Sequence, residues 1–238
     1  IYDTVPIKSN RDTTIYSDVG AIILGEIVEK ISGLSLNVFA DSMIFKPLGM
    51  GTTFFNPPSN KMRRIVPTEL RPDGTIVHGY VHDENAYSLG GVAGHAGLFS
   101  TAKDLAVFSQ MMLNDGLYGW KRIIKTETVN EFTTKANVVD GSSRLLGWDS
   151  PGGYASGGIY LSDNSFGHTG FTGTSMWIDP DQGIIVILLT NAVHPNRKNK
   201  SPKYYDWRQR IHSGVYESLS ISDKNPNLKL RPKWEEGE

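Results

Sequence analysis

The most regular pattern along the chain is a helical one near its start. Val19, Ile22, Ile23, Ile27 and Ile31 recur at the three-and-four spacing of one helix face, with Glu26, Glu29 and Lys30 opposite. Ser17 or Asp18 is placed to cap this helix, and Gly33 to stop it. A second, shorter helical stretch starts at Ser35, runs through Phe39 and Met43, and is expected to end at Pro47 and Gly49. Ahead of both, residues 1–14 are polar and irregular, with Pro6, Lys8, Arg11 and Asp12, and read as an extended approach. Residues 51–85 are rich in Pro, Gly and Asn and predict loops with one hairpin around Asp73-Gly74. From Ser100 an amphipathic helix is expected through Leu105, Phe108, Met111, Met112 and Leu113 to Gly116, with Asp104 in its first turn, where a carboxylate favours the positive end of the dipole. Residues 126–134 predict another helix.

The last third changes period. Residues 165–178 and 184–190 are apolar and β-branched, and Asp179-Pro180-Asp181-Gln182-Gly183 between them is a strong turn signal, so an antiparallel hairpin is expected. Residues 204–219 read as a closing helix and 221–238 as a polar tail. The organisation is then one α+β portion over 1–220, mostly helix and loop to residue 160, with the sheet hairpin and closing helix over 161–220. No internal repeat or low-complexity tract is evident.

Composition narrows the function classes. The 238 residues are 39% hydrophobic and 21% charged, ordinary for a globular chain with a sizeable core. A formal net charge of -1 supplies no field to gather nucleic acid or an anionic membrane surface. The longest apolar run, 184–189, is far too short for a membrane span. With no cysteine there is no disulfide framework, thiol nucleophile or thiolate metal site. The chain opens at Ile1 without an initiator Met or signal peptide, and a hydrophobic helix follows within twenty residues; this reads as a truncated start.

Two constellations could carry chemistry. Tyr16-Ser17-Asp18 stands where an extended segment turns into a hydrophobic helix, so a tyrosine hydroxyl there can be held toward a cleft. It can act as a general base only if a nearby cation lowers its pKa from about 10. The plainer alternative is a tyrosine beside an ordinary cap. The second is Gly167-His168-Thr169-Gly170-Phe171-Thr172-Gly173, leading into Thr174-Ser175-Met176-Trp177-Ile178. Small residues at a strand end let a ligand approach the backbone, whose N–H groups can donate to a developing oxyanion. Alone, it is equally a tight bend.

The two in this order, about 150 residues apart, are far more specific than either. Together with Leu24-Gly25-Glu26-Ile27-Val28-Glu29, Phe45-Lys46-Pro47-Leu48-Gly49-Met50, Gly97-Leu98-Phe99-Ser100-Thr101-Ala102 and Trp177-Ile178-Asp179-Pro180, the arrangement resembles the class C β-lactamases, DD-peptidases and related esterases. Their order is a Ser-x-x-Lys nucleophile, then Tyr-x-Asn, then Lys- or His-Thr-Gly on a strand. The resemblance implies an antiparallel sheet flanked by helices and covalent acyl transfer through a serine, without metal or organic cofactor. It makes Tyr16 the general base, with Asp18 at the Asn position, and His168, Thr169 and Gly170 the strand facing substrate. Phe171 would give an oxyanion N–H, with Thr172 beside it at the substrate. Apart from the resemblance, Val81-His82-Asp83-Glu84-Asn85-Ala86 reads as a loop at the cleft rim, placing His82 and Asp83 to line the substrate pocket. The substrate would be a cell-wall peptide, a β-lactam or an ester, and the family works in the cell envelope or periplasm.

Three departures matter. Only fifteen residues precede Tyr16, so the nucleophile segment is expected to lie outside this chain, leaving it inactive alone. Asp18 replaces an amide, which has two donor hydrogens, by an acceptor-only carboxylate. His168 replaces a permanent cation by a switchable one. Both replacements lean toward peptidase, amidase or esterase relatives. Ser100-Thr101-Ala102-Lys103 spells Ser-x-x-Lys but follows the tyrosine, and Ser100 reads as a helix cap with Lys103 exposed. Two other readings stay open: a non-catalytic module binding peptidoglycan-like ligands, and a zinc hydrolase using His78 and His82, which Gly79 and β-branched neighbours argue against by disfavouring a helix. His194 and His212 read as surface histidines. Trp120, Trp148, Tyr154, Tyr160 and Trp177 read as packing or as the wall of a groove.

Overall fold

The computed structural model describes residues 14–135 and 139–232. The extended approach expected over 1–13, with Pro6, Lys8, Arg11 and Asp12, and the last residues of the expected tail, 233–238, lie outside the described residues. The described chain forms two compact units, one of residues 14–107 with 139–142, the other of 108–135 with 143–232.

In the first unit α1 (Asp18–Ser32) is capped by Ser17, which is extended and accepts from the Gly20 N–H at 3.3 Å, and ends on left-handed Gly33. α2 (Leu36–Ala40), a π turn (Asp41–Phe45) and α3 (Lys46–Leu48) follow without a break to Gly49. The expected stop at Pro47 does not occur. The ladder changes register there, the Lys46 N–H bonding Asp41 five residues back, and Pro47 falls in a first-turn position where its missing N–H is not called on.

β1 (Phe54–Phe55) pairs antiparallel with β2 (Leu98–Phe99). Between them lie a 3-10 turn (Ser59–Arg64), the expected hairpin, closed by the Leu70–Ile76 bridge, and α4 (Glu84–Ser88). α5 (Ala102–Leu113), whose residues are divided between the units at Val107, is capped by Thr101 rather than by Ser100: the Asp104 N–H bonds the Thr101 hydroxyl at 3.3 Å. Ser100 instead pairs with the Thr53 hydroxyl at 2.7 Å. The buried Asp104 carboxyl gathers Thr52 and Thr53.

The second unit holds β3 (Leu117–Tyr118) and β4 (Lys121–Arg122), α6 (Thr126–Thr133), and a three-stranded antiparallel sheet ordered β5 (Phe166–Thr169), β6 (Ser175–Asp179), β7 (Ile184–Leu188). The single strand expected over 165–178 is therefore two strands folded back at residues 170–174. Gly173 makes that turn possible: its φ is 120°, and a Cβ there would sit 2.8 Å from the Thr190 hydroxyl and 2.9 Å from the Ala192 amide. α7 (Pro202–Ser218) covers the sheet face that carries Ser175, Trp177 and Asp179, with His212 on Ser175 and Tyr216 on Asp179. The opposite face carries Met176, which receives the Ser109 hydroxyl of α5.

The core joins Ile159, Tyr160, Leu161, Trp177, Val186, Tyr216 and Leu228. Trp148 lies against Phe108 and Phe166. Trp148, Tyr160 and Trp177 thus serve packing, whereas Trp120 is fully exposed and Tyr154 about half exposed. The polar stretch after residue 221 is held: Leu228 is buried, Asn225 donates to the Leu161 carbonyl, and the Arg231 N–H reaches the Gln209 side chain. No described helix is long and apolar enough to cross a membrane.

Candidate active site

The His-Thr-Gly sequence sits at the end of β5 in the second unit. His168 pairs with Met176 and Thr169 with Ser175 in the ladder, so the strand is fixed up to its last residue. The turn that follows is clamped from both sides. The Gly170 N–H bonds Thr174 O at 2.8 Å, the Ala192 N–H bonds Thr172 O at 2.8 Å, and the hydroxyls of Thr190 and Tyr204 both reach Gly173 O. Phe171 is exposed at the tip, with the Lys200 ammonium 4.5 Å from its ring centre and 2.7 Å from its carbonyl oxygen. Burial, with the neighbouring Arg208 charge, pushes the Lys200 ammonium below its ordinary range.

The other edge of β5 carries residues the sequence reading missed. Arg144 and Asp149 face each other across a short turn, with the Leu145 N–H on Trp148 O at 2.8 Å. Asp149 and Gly167 exchange backbone hydrogen bonds of 2.8 and 3.0 Å. This docks the turn one residue before His168. The Arg144 Nε then lies 3.1 Å from Asp149 Oδ1, and its Nη1 3.1 Å from His168 Nε2. The His168 Nδ1 is 2.9 Å from the Thr169 carbonyl oxygen. Burial pushes the Asp149 carboxyl up, against the pull of the Arg144 charge and a hydrogen bond from Ser143. A cation and a carboxylate flanking Gly147 were visible in the sequence, but nothing there tied them to a histidine some twenty residues on.

In the first unit Tyr16 stands directly before the Ser17 cap and is 62% exposed; Asp18 is exposed in the first turn of α1. His82 and Asp83, expected to line the substrate pocket, are held by neighbours in the first unit. His82 is buried, its Nδ1 2.9 Å from the Thr68 hydroxyl and its Nε2 3.7 Å from Glu69. Asp83 caps α4 through the Ala86 N–H and holds His95 at 2.8 Å. Burial alone would raise the Asp83 carboxyl, but the Ala86 N–H and His95 hold it below the ordinary range. A neighbouring cleft of about 480 Å³ is lined by Asn56, Tyr80, Val81, Tyr87, Ser88, Gly90 and Gly91. His78 is taken by the Ile65 carbonyl, and among the described residues no three His, Asp or Glu side chains are grouped as a metal ion would need. His212, expected at the surface, is fully buried. Sequence pattern could not have found this, because the partner that receives it, Ser175 on β6, lies far from α7 in sequence.

The sequence model described as Beta-lactamase matches residues 2–210. Curated relatives include proteins named "Putative D-alanyl-D-alanine carboxypeptidase" from Escherichia coli K12, 41% identical over 198 residues (76% of this chain, 45% of the relative), and from Salmonella gallinarum, 40% identical over 202 residues (77% and 46%). The chain thus spans a little under half the length of these relatives. Among solved structures, a beta-lactamase from Mycobacterium bovis aligns with a TM-score of 0.59 at 19% identity, covering 87% of this chain and 65% of that one. Simvastatin synthase from Aspergillus terreus, in a mutant form, aligns at 0.62 and 18%, covering 84% and 54%. At that identity the structures speak for fold alone, and the fold is the α+β one of the β-lactamases and transpeptidases that the motifs implied. With the family model covering most of the chain, and with His-Thr-Gly on the end of its strand, this chain belongs to the Beta-lactamase family.

Proposed function

We propose that this chain is part of a serine acyl hydrolase of the cell envelope that cleaves an amide or ester, a D-alanyl-D-alanine carboxypeptidase-like activity being the best-supported form. The observation that carries the reading is the kinship, at about two-fifths identity over three quarters of the chain, with proteins bearing that name. In this reading the nucleophile is a Ser-x-x-Lys serine that residues 1–238 do not supply ahead of Tyr16. Its hydroxyl attacks the substrate carbonyl carbon, and Tyr16 with that lysine takes the proton and passes it to the departing amine or alcohol. The Phe171 N–H and the serine's own N–H hold the oxyanion, and His168, Thr169, Gly170 and Thr172 line the bound acyl group. Water then attacks the acyl-serine and restores the hydroxyl. Asp18 works beside Tyr16. His82 and Asp83 act by shaping the loop next to the Tyr80–Tyr87 cleft.

The single Ser-x-x-Lys of the chain does not replace that serine in this reading. Ser100 lies ahead of α5, its hydroxyl engaged by Thr53, and Lys103 is exposed one turn on. The test is labelling by a fluorescent penicillin and a fluorophosphonate, on this chain and on a longer form carrying Ser-x-x-Lys ahead of Tyr16, with the modified residue located by mass spectrometry. Labelling of the longer form at that serine, lowered on the order of a hundredfold or more by Tyr16→Phe, and none of this chain is the expected result. A label on Ser100 overturns the assignment. No label on either form turns the reading to a peptidoglycan-binding module.

A further inference from the structure

The contact between Arg144 and His168 fixes more than a position. A guanidinium has five N–H donors and no acceptor, so the 3.1 Å approach of Arg144 Nη1 to His168 Nε2 is a hydrogen bond only if that ring nitrogen offers its lone pair. A carbonyl oxygen has no proton to give, so the 2.9 Å approach of His168 Nδ1 to Thr169 O is a hydrogen bond only if Nδ1 carries the hydrogen. The two conditions agree on one species, the neutral ring protonated at Nδ1.

The geometry points to Arg144 as a positioning residue of the His-Thr-Gly strand: it locks His168 as the neutral, Nδ1-protonated tautomer and is itself the fixed cation at that strand. This reverses the sequence expectation that His168 is a switchable charge in place of the family's lysine. The charge is moved one side chain over, to a group that stays protonated throughout the working pH range.

The placement is built rather than incidental. Asp149 holds the Arg144 Nε at 3.1 Å, and the paired backbone of Asp149 and Gly167 sets the whole turn against β5 one residue before the histidine. Arg144 can therefore satisfy Asp149 with Nε while its Nη1 addresses His168, a fork that a lysine point charge cannot reproduce. The Nδ1–H, tied to the backbone of Thr169, holds the imidazole plane to the strand end just before the turn that bears Phe171. That this strand meets a substrate rests on the functional reading above; the tautomer does not. A failure of acylation would sink that reading and leave this one standing.

The test is long-range proton–nitrogen correlation of the histidine rings in the isotopically labelled chain at about pH 8, above the ordinary histidine range. His168 is identified by the signals that His168→Gln removes. Expected is a pyrrole-like Nδ1 and a pyridine-like Nε2 for His168 in the native chain, and, in Arg144→Met, movement of Nε2 toward the protonated, pyrrole-like region while the other five histidines keep their shifts. A native His168 protonated at Nε2 or at both nitrogens overturns the proposal, as does a tautomer unchanged in a folded Arg144→Met. Should that variant unfold, seen as displacement of the other five rings, the native spectrum alone decides.

Discussion

The two long helices of the chain invert the usual rule of burial. α1, in the first unit, is rich in isoleucine, yet it buries only Ile22 and Gly25 and leaves Leu24 62% and Ile31 83% exposed, with Ile23 and Ile27 also at the surface. α7, in the second unit, is polar by composition, yet it buries Arg208, Gln209, His212, Ser213 and Tyr216. What differs is partners. Gln209 donates to the carbonyls of Ala155 and Lys229, Ser213 to Gln209 O, His212 Nε2 meets Ser175 and Tyr216 meets Asp179, so most of the polar groups that leave water find a bond. Burial follows from what a neighbouring element offers, and hydropathy alone misreads both helices.

The largest effects should come from breaking the polar centre of the second unit. The fully buried Asp179 carboxyl accepts from the Tyr216 hydroxyl at 3.0 Å, from the backbone N–H groups of Ser162 and Gln182, and from the Ser162 hydroxyl. Asp179→Ala strands all four donors and is expected to remove on the order of 3–5 kcal/mol, read as a lowered urea midpoint. An unchanged midpoint would mean that water reaches the site and the centre is not closed. Tyr216, pushed well above the ordinary tyrosine range by burial, by the Asp179 charge and by that hydrogen bond, acts here only as a donor.

Next comes acid. Burial, helped by the Arg208 charge, lowers His212 from 6.5 to about 4. Its folded pKa is depressed, so between about pH 6.5 and about 4 the unfolded chain binds a proton that the folded chain refuses. Stability is then complete above the unfolded pKa and falls as pH drops through that window, by about 3 kcal/mol at its foot. Urea midpoints from neutral to about pH 4 should show this slope in the native chain and a flatter one in His212→Gln. Equal slopes would assign the acid sensitivity elsewhere.

These contrasts mark what the sequence could carry. α1, α5, α6 and α7 were legible because helical spacing and caps are local, and the hairpin at Asp73-Gly74 and the β6–β7 turn because their residues leave the backbone few choices. The fold at residues 170–174 was not, since the β-branched run on either side hides a reversal that depends on contacts from Thr190, Ala192 and Tyr204. In the candidate site, Tyr16 and the His-Thr-Gly strand could be named from motif order. Arg144, Asp149 and Lys200 could not, because each enters through pairing with a strand or turn distant in sequence. His82 and Asp83 could be named only as members of a loop; their partners, Thr68 for one and the α4 cap with His95 for the other, are contacts the sequence does not display.

A smaller effect separates the two faces of α1 itself. Its buried face meets the 91–97 loop backbone to backbone: a Cβ on Gly94 would stand 2.0 Å from the Ala21 carbonyl oxygen. Backbone cannot step aside as a flexible side chain can, so Gly94→Ala is expected to cost about 1–3 kcal/mol. A midpoint equal to the native one would show that the helix and loop can part freely.

On the opposite face the same helix should tolerate almost anything polar. Leu24 and Ile31 are among the most apolar side chains of α1 and among its most exposed, and an exposed apolar row marks a surface that associates. Leu24→Gln and Ile31→Lys remove apolar area that water already wets, so the urea midpoint should stay within about 0.5 kcal/mol of the native value. Sedimentation should show less self-association than for the native chain. If Leu24→Gln instead lost as much stability as a core truncation, Leu24 would have to be covered in solution, and the contrast between α1 and α7 would lie in which partner covers each helix rather than in whether one does.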